Sequence, residues 1–312
     1  TFEFSEPVII VARDLSPAET THMSSSQVLG FITERGSKTS HTAIIAHSLE
    51  IPAVVGLDNA TLEIESGEEI ILNHQLCDAC GLCVQECPSG ALELLGKKIS
   101  VDELTAELLK DQSFFQTSGG GVTFSGGEPM LQAEFVAAVM ANLQAAGVHT
   151  ALDTCGMVSQ SQFVKVLPHT DLVLFDLKLM DPHAHQDHTG QHNEPILRNL
   201  IFVRDYLRAD GGSKKLWIRT PLIPDATDLP LNLFAIGSFL ASELDGSVER
   251  WELCAFNNLC RDKYRRLGLP WQYDQTQLYT QSQLDERYTW AQVSPFPSEK
   301  IIITGATRVQ TK

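Results

Sequence analysis

The chain has 312 residues, of which 43% are hydrophobic and 20% are charged, and its formal net charge is −16. This composition is typical of a soluble globular protein with one large or two unequal domains, and the acidic balance disfavours nucleic-acid binding through a basic patch. No apolar run approaches the length of a membrane span and no signal peptide opens the chain, so we expect a cytoplasmic protein that acts on neither membrane nor nucleic acid.

The first part of the chain has the alternation of a small α/β domain. Residues 6–12 and Val28–Thr33 are predicted strands, and a polar glycine loop then leads into a small-residue helix whose first turn contains His41. Free backbone N–H groups at a helix start favour an anion, so they would stabilise a phosphoryl group on the His41 imidazole. A capping or surface histidine is the alternative.

Two runs around this histidine carry a resemblance. Residues 39–44 (Thr-Ser-His-Thr-Ala-Ile) and 49–56 resemble the swivelling phosphohistidine domain of enzyme I of the sugar phosphotransferase system and of related phosphoenolpyruvate-using enzymes. The resemblance implies a domain over 1–75, His41 as its phosphorylated catalytic residue and a phosphocarrier protein as its partner. Ser37 and His47 stand where that family usually has glycine and arginine.

Four of the seven cysteines form a cluster with the C-x2-C-x2-C-x3-C-P spacing of bacterial ferredoxins. Zinc is the alternative, but zinc sites usually use two ligand pairs separated by a longer loop. We therefore expect residues 76–99 to be a ferredoxin-like 4Fe–4S segment, with ligands Cys77, Cys80, Cys83 and Cys87. In two-cluster ferredoxins the fourth cysteine binds the other cluster, and since the chain has no second such run, Cys87 either completes its own cluster or lacks partners.

Residues 118–132 predict a strand, a tight glycine turn and a helix. The strand 122–124 ends in Ser125-Gly126-Gly127-Glu128-Pro129, and an apolar segment with helical periodicity begins at 131. Gly126 and Gly127 let the backbone approach a ligand closely, because no Cβ intervenes. Glu128 then provides an acceptor for a cationic or amine group, although an ordinary βα turn with an acid is the alternative.

Strands and helices alternate from there to the C-terminus. Further strands are predicted at 148–153, 172–177, 216–222, 251–256 and Ile301–Thr304, with helices at 100–111, 131–146, 160–167, 195–207 and 231–244. This alternation predicts an α/β fold with a parallel sheet, open or curled into a barrel, and ligand chemistry at the carboxyl ends of its strands. The residues at those ends are polar: Glu128, Asp153 with Thr154 and Cys155, Asp176 with Lys178, Arg219 with Thr220, and Asn257.

These motifs resemble the glycyl-radical-enzyme activating enzymes, radical S-adenosylmethionine proteins related to pyruvate formate-lyase activating enzyme. The matching residues are the cysteine cluster and the runs 117–129, 153–156, 175–181 and 219–224. The resemblance implies a partial radical-SAM-type (β/α) barrel over 100–312, with the ferredoxin-like segment inserted and the phosphohistidine domain preceding it. It also implies S-adenosylmethionine as cofactor, with Gly126, Gly127 and Glu128 at its amine, Asp153, Asp176 and Lys178 around its carboxylate and sulfonium, and Asn257 where the family often has a histidine near the nucleoside.

The function implied is reductive cleavage of S-adenosylmethionine to generate a glycyl radical on a partner enzyme, with flavodoxin or ferredoxin as electron donor. The sequence contains no C-x3-C-x2-C run, the loop that holds the cofactor-binding cluster in this family, and Cys155, Cys254 and Cys260 do not have that spacing. We therefore expect a barrel without its first strand and no reductive cleavage by this chain. A phosphohistidine carrier fused to an iron–sulfur module, and a non-catalytic electron-transfer or binding protein, are the alternatives.

Overall fold

The computed structural model describes residues 7–16, 27–36, 40–49, 51–65, 81, 84, 96–267, 269–305 and 307. The chain divides into two compact units, Thr1–Lys98 and Ile99–Lys312.

The first unit contains a parallel sheet of three short strands in the order β1-β2-β3: β1 (Val8–Ala12), β2 (Val28–Thr33) and β3 (Ala53–Val55). Helix α1 (His41–Leu49) connects β2 to β3, as a parallel connection requires, and a short helix α2 (Ala60–Glu63) follows β3.

One face of this sheet forms a small core. Phe31 of β2 is almost fully buried, together with Ala46 of α1 and Ala53 of β3. Gly30 of β2 lets the backbone at Pro52, just before β3, approach closely, since a Cβ on Gly30 would lie 2.9 Å from the Pro52 carbonyl oxygen. The predicted strand 28–33 and the helix that contains His41 are both present.

The second unit contains a six-stranded, wholly parallel sheet in which spatial order follows chain order from β4 to β9. The strands are β4 (Gly121–Phe124), β5 (His149–Thr154), β6 (Leu172–Asp176), β7 (Lys215–Leu222), β8 (Arg250–Ala255) and β9 (Ile301–Thr304). Each pairs only with its chain neighbours, so over the described residues β4 and β9 are the two edges of an open sheet.

Helices connect these strands. They are α3 (Val101–Leu108), α4 (Gln112–Ser118), α5 (Ala133–Ala145), α6 (Gln160–Val166), α7 (Pro182–Thr189), α8 (Glu194–Ala209), α9 (Pro230–Glu243), α10 (Cys260–Arg266) and α11 (Gln281–Gln292). Helix α3 begins with a capping box: the Glu103 amide donates to Ser100 Oγ over 3.2 Å, and the Ser100 amide donates to Glu103 Oε2 over 2.9 Å.

Side chains alternate along the strands of the second unit, so that apolar residues lie on one face of the sheet and polar residues on the other. Leu152 of β5, Phe175 of β6 and Ile218 of β7 are fully buried and belong to one continuous apolar core. Their strand neighbours Asp153 and Asp176 are half-buried and project to the other face. The sheet therefore presents an apolar face to the helices and a polar face that is open at its carboxyl end.

The predicted fold class is confirmed, since both units are parallel α/β structures. Every strand predicted in the second unit is present within one residue of its bounds, whereas α4, α7, α10 and α11 were not predicted. Across the described ranges, no helix combines the length and apolar character needed to cross a bilayer.

Candidate functional site

The glycine turn after β4 has open space on its ligand side. Gly126 has a φ of 135°, which favours glycine, and a Cβ built on either Gly126 or Gly127 would meet no atom within 4 Å. A short 3-10 turn, Pro129–Gln132, then leads into α5. The backbone of the turn is thus accessible to a ligand.

Glu128 is held in one orientation by the protein itself. Its Oε1 accepts hydrogen bonds from Thr154 Oγ1 (2.8 Å) and the Met130 amide (3.1 Å), and its Oε2 accepts one from the Cys155 amide (2.9 Å). A carboxylate has about four lone-pair directions, so these three bonds leave room for one further donor. Burial, and then the neighbouring Glu128 carboxylate, raise the pKa of the Cys155 thiol.

Asp153 links three strands. Its Oδ2 accepts from Ser125 Oγ after β4 (2.8 Å) and from Arg219 Nη1 of β7 (2.9 Å). The Arg219 Nε also lies 3.7 Å from Glu252 Oε2 of β8. Burial of the Arg219 guanidinium acts to lower its pKa, but Asp153 and the Cys254 thiol outweigh this effect and the pKa is raised, so Arg219 stays a fixed cation in the site.

Asp176, Arg219 and Glu252 form one row across the sheet. Asp176 is the register partner of Arg219, and Arg219 is the register partner of Glu252. Lys178 Nζ lies 3.3 Å from Asp176 Oδ2. Burial raises the pKa of the Asp176 carboxyl, although the Lys178 ammonium partly opposes the shift.

The sequence-predicted residues are therefore only partly brought together. Glu128 and Asp153 share the neighbourhood of Thr154, while Asp176 and Lys178 follow on the adjacent strand. Asn257 lies beyond the end of β8, where its side chain is exposed and its Oδ1 accepts a hydrogen bond from the Leu259 amide at 3.2 Å.

Sequence reasoning missed several participants. Arg219 and Thr154 were noted at strand ends but given no role, and Ser125 was noted only within the turn. Glu252 was not singled out, although a carboxylate between Trp251 and Leu253 in an apolar strand is a usable signal.

The other predicted site residues belong to the first unit. His41 is the first residue of α1, as expected, and Ser40 Oγ accepts a hydrogen bond from the Ala43 amide at 3.3 Å. The predicted cluster ligands Cys77, Cys80, Cys83 and Cys87 lie outside the described residues. Within the described ranges, no group of three or more His, Cys, Asp or Glu side chains is arranged to hold a metal ion.

A separate cavity of about 710 Å³ lies at the opposite, amino end of β5 and β6, lined in part by Gln144, His149, His169 and Asp171. Its polar groups satisfy one another: Gln144 Nε2 donates to Asp171 Oδ1 over 3.3 Å, and Asp171 Oδ2 accepts from the Thr150 amide over 2.8 Å. Because ligand sites in parallel sheets form at the carboxyl ends of the strands, volume alone does not make this cavity the functional site.

Comparison with known proteins distinguishes the two units. Residues 4–75 match the family described as PEP-utilising enzyme, mobile domain, and residues 70–93 match the 4Fe-4S binding domain family. The chain is 35% identical over 200 residues to the pyruvate formate-lyase-activating enzyme of Staphylococcus epidermidis, a match that covers 62% of this chain and 76% of the relative. The chain belongs to the family of glycyl-radical-enzyme activating enzymes. This confirms the predicted family, and the first match confirms the predicted phosphohistidine-type domain.

Other activating enzymes are similarly related. The (2S)-3-sulfopropanediol dehydratase activating enzyme of Klebsiella oxytoca is 36% identical over 210 residues, covering 67% of this chain and 64% of the relative. A domain of pyruvate-formate lyase-activating enzyme from Bacteroides vulgatus aligns with 28% identity and a TM-score of 0.46, covering 60% of this chain and 99% of that one. The chain spans less than two thirds of the length of several curated relatives, 64% and 62% for two of them.

The family's cofactors are a 4Fe–4S cluster and S-adenosylmethionine, as predicted. The residues present fit both groups. Four cysteines at ferredoxin spacing supply the thiolates that iron–sulfur clusters require. The open glycine turn, with a fixed carboxylate beside it, fits the amino group of an amino-acid-like cofactor.

Proposed function

We propose that the second unit binds S-adenosylmethionine at the carboxyl ends of β4, β5 and β6, which is the cofactor-binding step in the activation of a glycyl-radical enzyme. The observation that carries this proposal is Glu128, which is fixed by three hydrogen bonds beside two glycines whose ligand side is open.

The charges around the turn support this ligand. S-adenosylmethionine has an ammonium, a sulfonium and one carboxylate, so it needs more anionic than cationic neighbours. Glu128 accepts the ammonium in its remaining lone-pair direction, and Lys178 pairs with the carboxylate. Asp153 and Asp176 then lie on the side of the sulfonium.

Two further residues have supporting roles. Arg219 holds Asp153 in place through the 2.9 Å bond to its Oδ2, and so acts as a positioning residue. Asn257 is assigned to the nucleoside end because it follows β8, away from the glycine turn.

Bound together, a reduced cluster and S-adenosylmethionine supply the hydrogen-abstracting chemistry that forms a glycyl radical on the partner. Cys77, Cys80, Cys83 and Cys87 would hold the ferredoxin-type cluster named by the 4Fe-4S match, which is separate from the cofactor-binding cluster of the C-x3-C-x2-C loop. Since the 312 residues contain no C-x3-C-x2-C run, we predict that this chain binds the cofactor without releasing 5′-deoxyadenosine. The glycyl-radical partner, the flavodoxin or ferredoxin donor and the cytoplasmic location stay predictions.

The direct test is equilibrium dialysis of S-adenosylmethionine against the full, cluster-loaded chain under anaerobic conditions. Replacing Glu128 by Ala or Gln removes or neutralises the acceptor of an ammonium, and a hydrogen bond to a charged group contributes about 1.5–3 kcal/mol. We therefore expect affinity to fall at least about tenfold in both variants.

Glu134→Gln is the matched control, because its carboxylate lies in the first turn of α5, is exposed and pairs with Lys165. Its affinity should equal that of the wild type. Equal affinity in the two Glu128 variants, or no saturable binding by the wild type up to about 1 mM, would contradict the proposal.

The first unit supports a second candidate function, that of a phosphohistidine carrier. Residues 4–75 match the mobile domain of PEP-utilising enzymes, and His41 occupies the first turn of α1, where backbone N–H groups favour an anion. In this candidate a phosphocarrier protein transfers its phosphoryl group to the His41 ring. Phosphate incorporation by a phosphorylated carrier tests it.

A further inference from the structure

A short segment after β6 contains four of the ten histidines of the chain, and the proposed function uses none of them. They are His183, His185 and His188 in α7, and His192 just beyond its end. All except the buried His185 are exposed.

The backbone that carries these residues is fixed at both ends. Asn193 is almost fully buried, and its Nδ2 donates to the carbonyl oxygens of Leu179 and Met180, each over 2.9 Å. His185 Nδ1 lies 2.6 Å from the carbonyl oxygen of Gln191. The chain after α7 is thereby held back against the start of the same helix.

This fold-back places the exposed rings of His183 and His192 side by side, with centroids 6.2 Å apart and ring planes at 76°. Two imidazoles bound to one ion through nitrogens about 2 Å from it have centroids about 5–6 Å apart. The separation is therefore close to that of a chelating pair. Because both rings are exposed, small rotations about their side-chain bonds can bring one nitrogen of each onto a common ion.

We propose that His183 and His192 form a two-imidazole site for a borderline divalent transition-metal ion such as Ni²⁺, Zn²⁺ or Cu²⁺. Imidazole suits these ions, whereas Mg²⁺ and Ca²⁺ prefer oxygen ligands. The described residues hold no three-ligand group, so water completes the coordination. The Asp181 carboxylate at the helix start offsets the positive end of the helix dipole, and the exposed Asp187 carboxylate lies one turn from His183.

The site is distinct from the predicted iron–sulfur ligands and from the S-adenosylmethionine pocket. Its bound ion would bridge the two ends of the fold-back that follows Asp176 and Lys178. Since a ligand stabilises the state that binds it, the ion should raise the thermal midpoint of this unit.

The test is calorimetric titration of Ni²⁺ into the untagged, cluster-loaded full chain, in which the cluster occupies its four predicted cysteine ligands. We expect one Ni²⁺ site whose affinity falls at least about tenfold in His183→Ala and in His192→Ala, the lower end of the loss caused by removing even an indirect ligand partner. The double variant should bind more weakly than either single variant, because each single variant keeps one imidazole that still binds Ni²⁺ as a lone ligand.

His188→Ala is the matched control, since this exposed histidine lies on the same helix. Its Ni²⁺ affinity should stay within about twofold of the wild type, a change small against the tenfold loss expected for a ligand. The Gln variants of His183 and His192, with unchanged circular dichroism, guard against an effect of misfolding. Unchanged affinity in the His183 and His192 variants, or an equal loss in His188→Ala, would overturn the proposal and leave the ring contact as simple edge-to-face packing.

Discussion

The two units use the same parallel βα arrangement but distribute their chemistry differently. In the first, the predicted reactive group is one histidine, the first residue of α1, and the backbone N–H groups expected to favour its phosphate belong to the same helix. In the second, Glu128, Asp153 and Arg219 follow or lie on three different strands, and each is hydrogen-bonded to a residue of another strand. A site of the first kind is local, whereas one of the second kind exists only when the sheet is assembled in register.

The largest effect expected is complete loss of phosphate incorporation in His41→Ala, because the first unit concentrates its chemistry in one ring. Acid-labile phosphate on the wild-type chain, supplied by a phosphorylated sugar-system carrier, is the measurement. S-adenosylmethionine affinity should be unchanged in this variant if the two chemistries are independent. Phosphate on His22 or His47 of the wild-type chain would show that the assignment of the loop is wrong.

Two glycines of the second unit should separate binding from stability. A Cβ on Gly156 would lie 2.2 Å from the Phe175 ring at a φ of 73°, so Gly156→Ala should cost about 2–5 kcal/mol through overpacking and backbone strain. Gly127→Ala meets no neighbour, so the free protein should keep its thermal midpoint while S-adenosylmethionine binds at least about tenfold more weakly. Calorimetric unfolding measures the stability and dialysis measures the affinity for S-adenosylmethionine. A destabilised Gly127→Ala variant that binds the cofactor normally would show that the glycine turn is not part of the binding site.

Interdependence of the strand ends predicts an intermediate effect. Arg219→Ala leaves the partly buried carboxylate of Asp153 without its cation and leaves Glu252 with Arg250 alone, 3.4 Å away, which should cost about 1–3 kcal/mol. Lys165→Ala is the control, because it breaks an exposed ion pair with Glu134 at 2.7 Å and should cost less than about 1 kcal/mol. If urea unfolding shows the same loss in free energy of unfolding for the two variants, Arg219 does not hold the carboxylates of neighbouring strands in place.

The smallest effect concerns Asp176. Burial raises the pKa of the Asp176 carboxyl in the folded protein above the unfolded value near 3.9. The free energy of unfolding therefore falls as pH rises through the interval between these two values, because the buried carboxyl must then ionise. Asp176→Asn should therefore raise the thermal midpoint at pH 7 by at most about 2–4 °C and leave it unchanged at pH 3.5. A lower midpoint at pH 7 would mean that the ion pair with Lys178 outweighs burial.

Much of the second unit's fold could be predicted, because its strands are apolar runs bounded by glycine and polar residues. Helices α7 and α11 could not, since their sequences are polar and lack an apolar stripe. The Asp181 cap on the Ala184 amide supports α7, and packing on α9 and β9 supports α11. Motifs placed Glu128, Asp153 and Asp176 at strand ends. They could not show that Thr154 and the Cys155 amide fix Glu128, or that Arg219 links Asp153 to Glu252, because such partnerships depend on side-chain geometry across strands.

The central claim is that S-adenosylmethionine binds at the carboxyl ends of β4, β5 and β6. Hydrogen–deuterium exchange of the cluster-loaded chain, with and without the cofactor, tests it most directly because it reports both ends of the sheet and both units at once. The account predicts slower exchange in residues 124–130, 153–157 and 176–180, and no change in Val28–Thr33 or His41–Leu49. Protection confined instead to the cavity lined by Gln144, His149, His169 and Asp171 would contradict it.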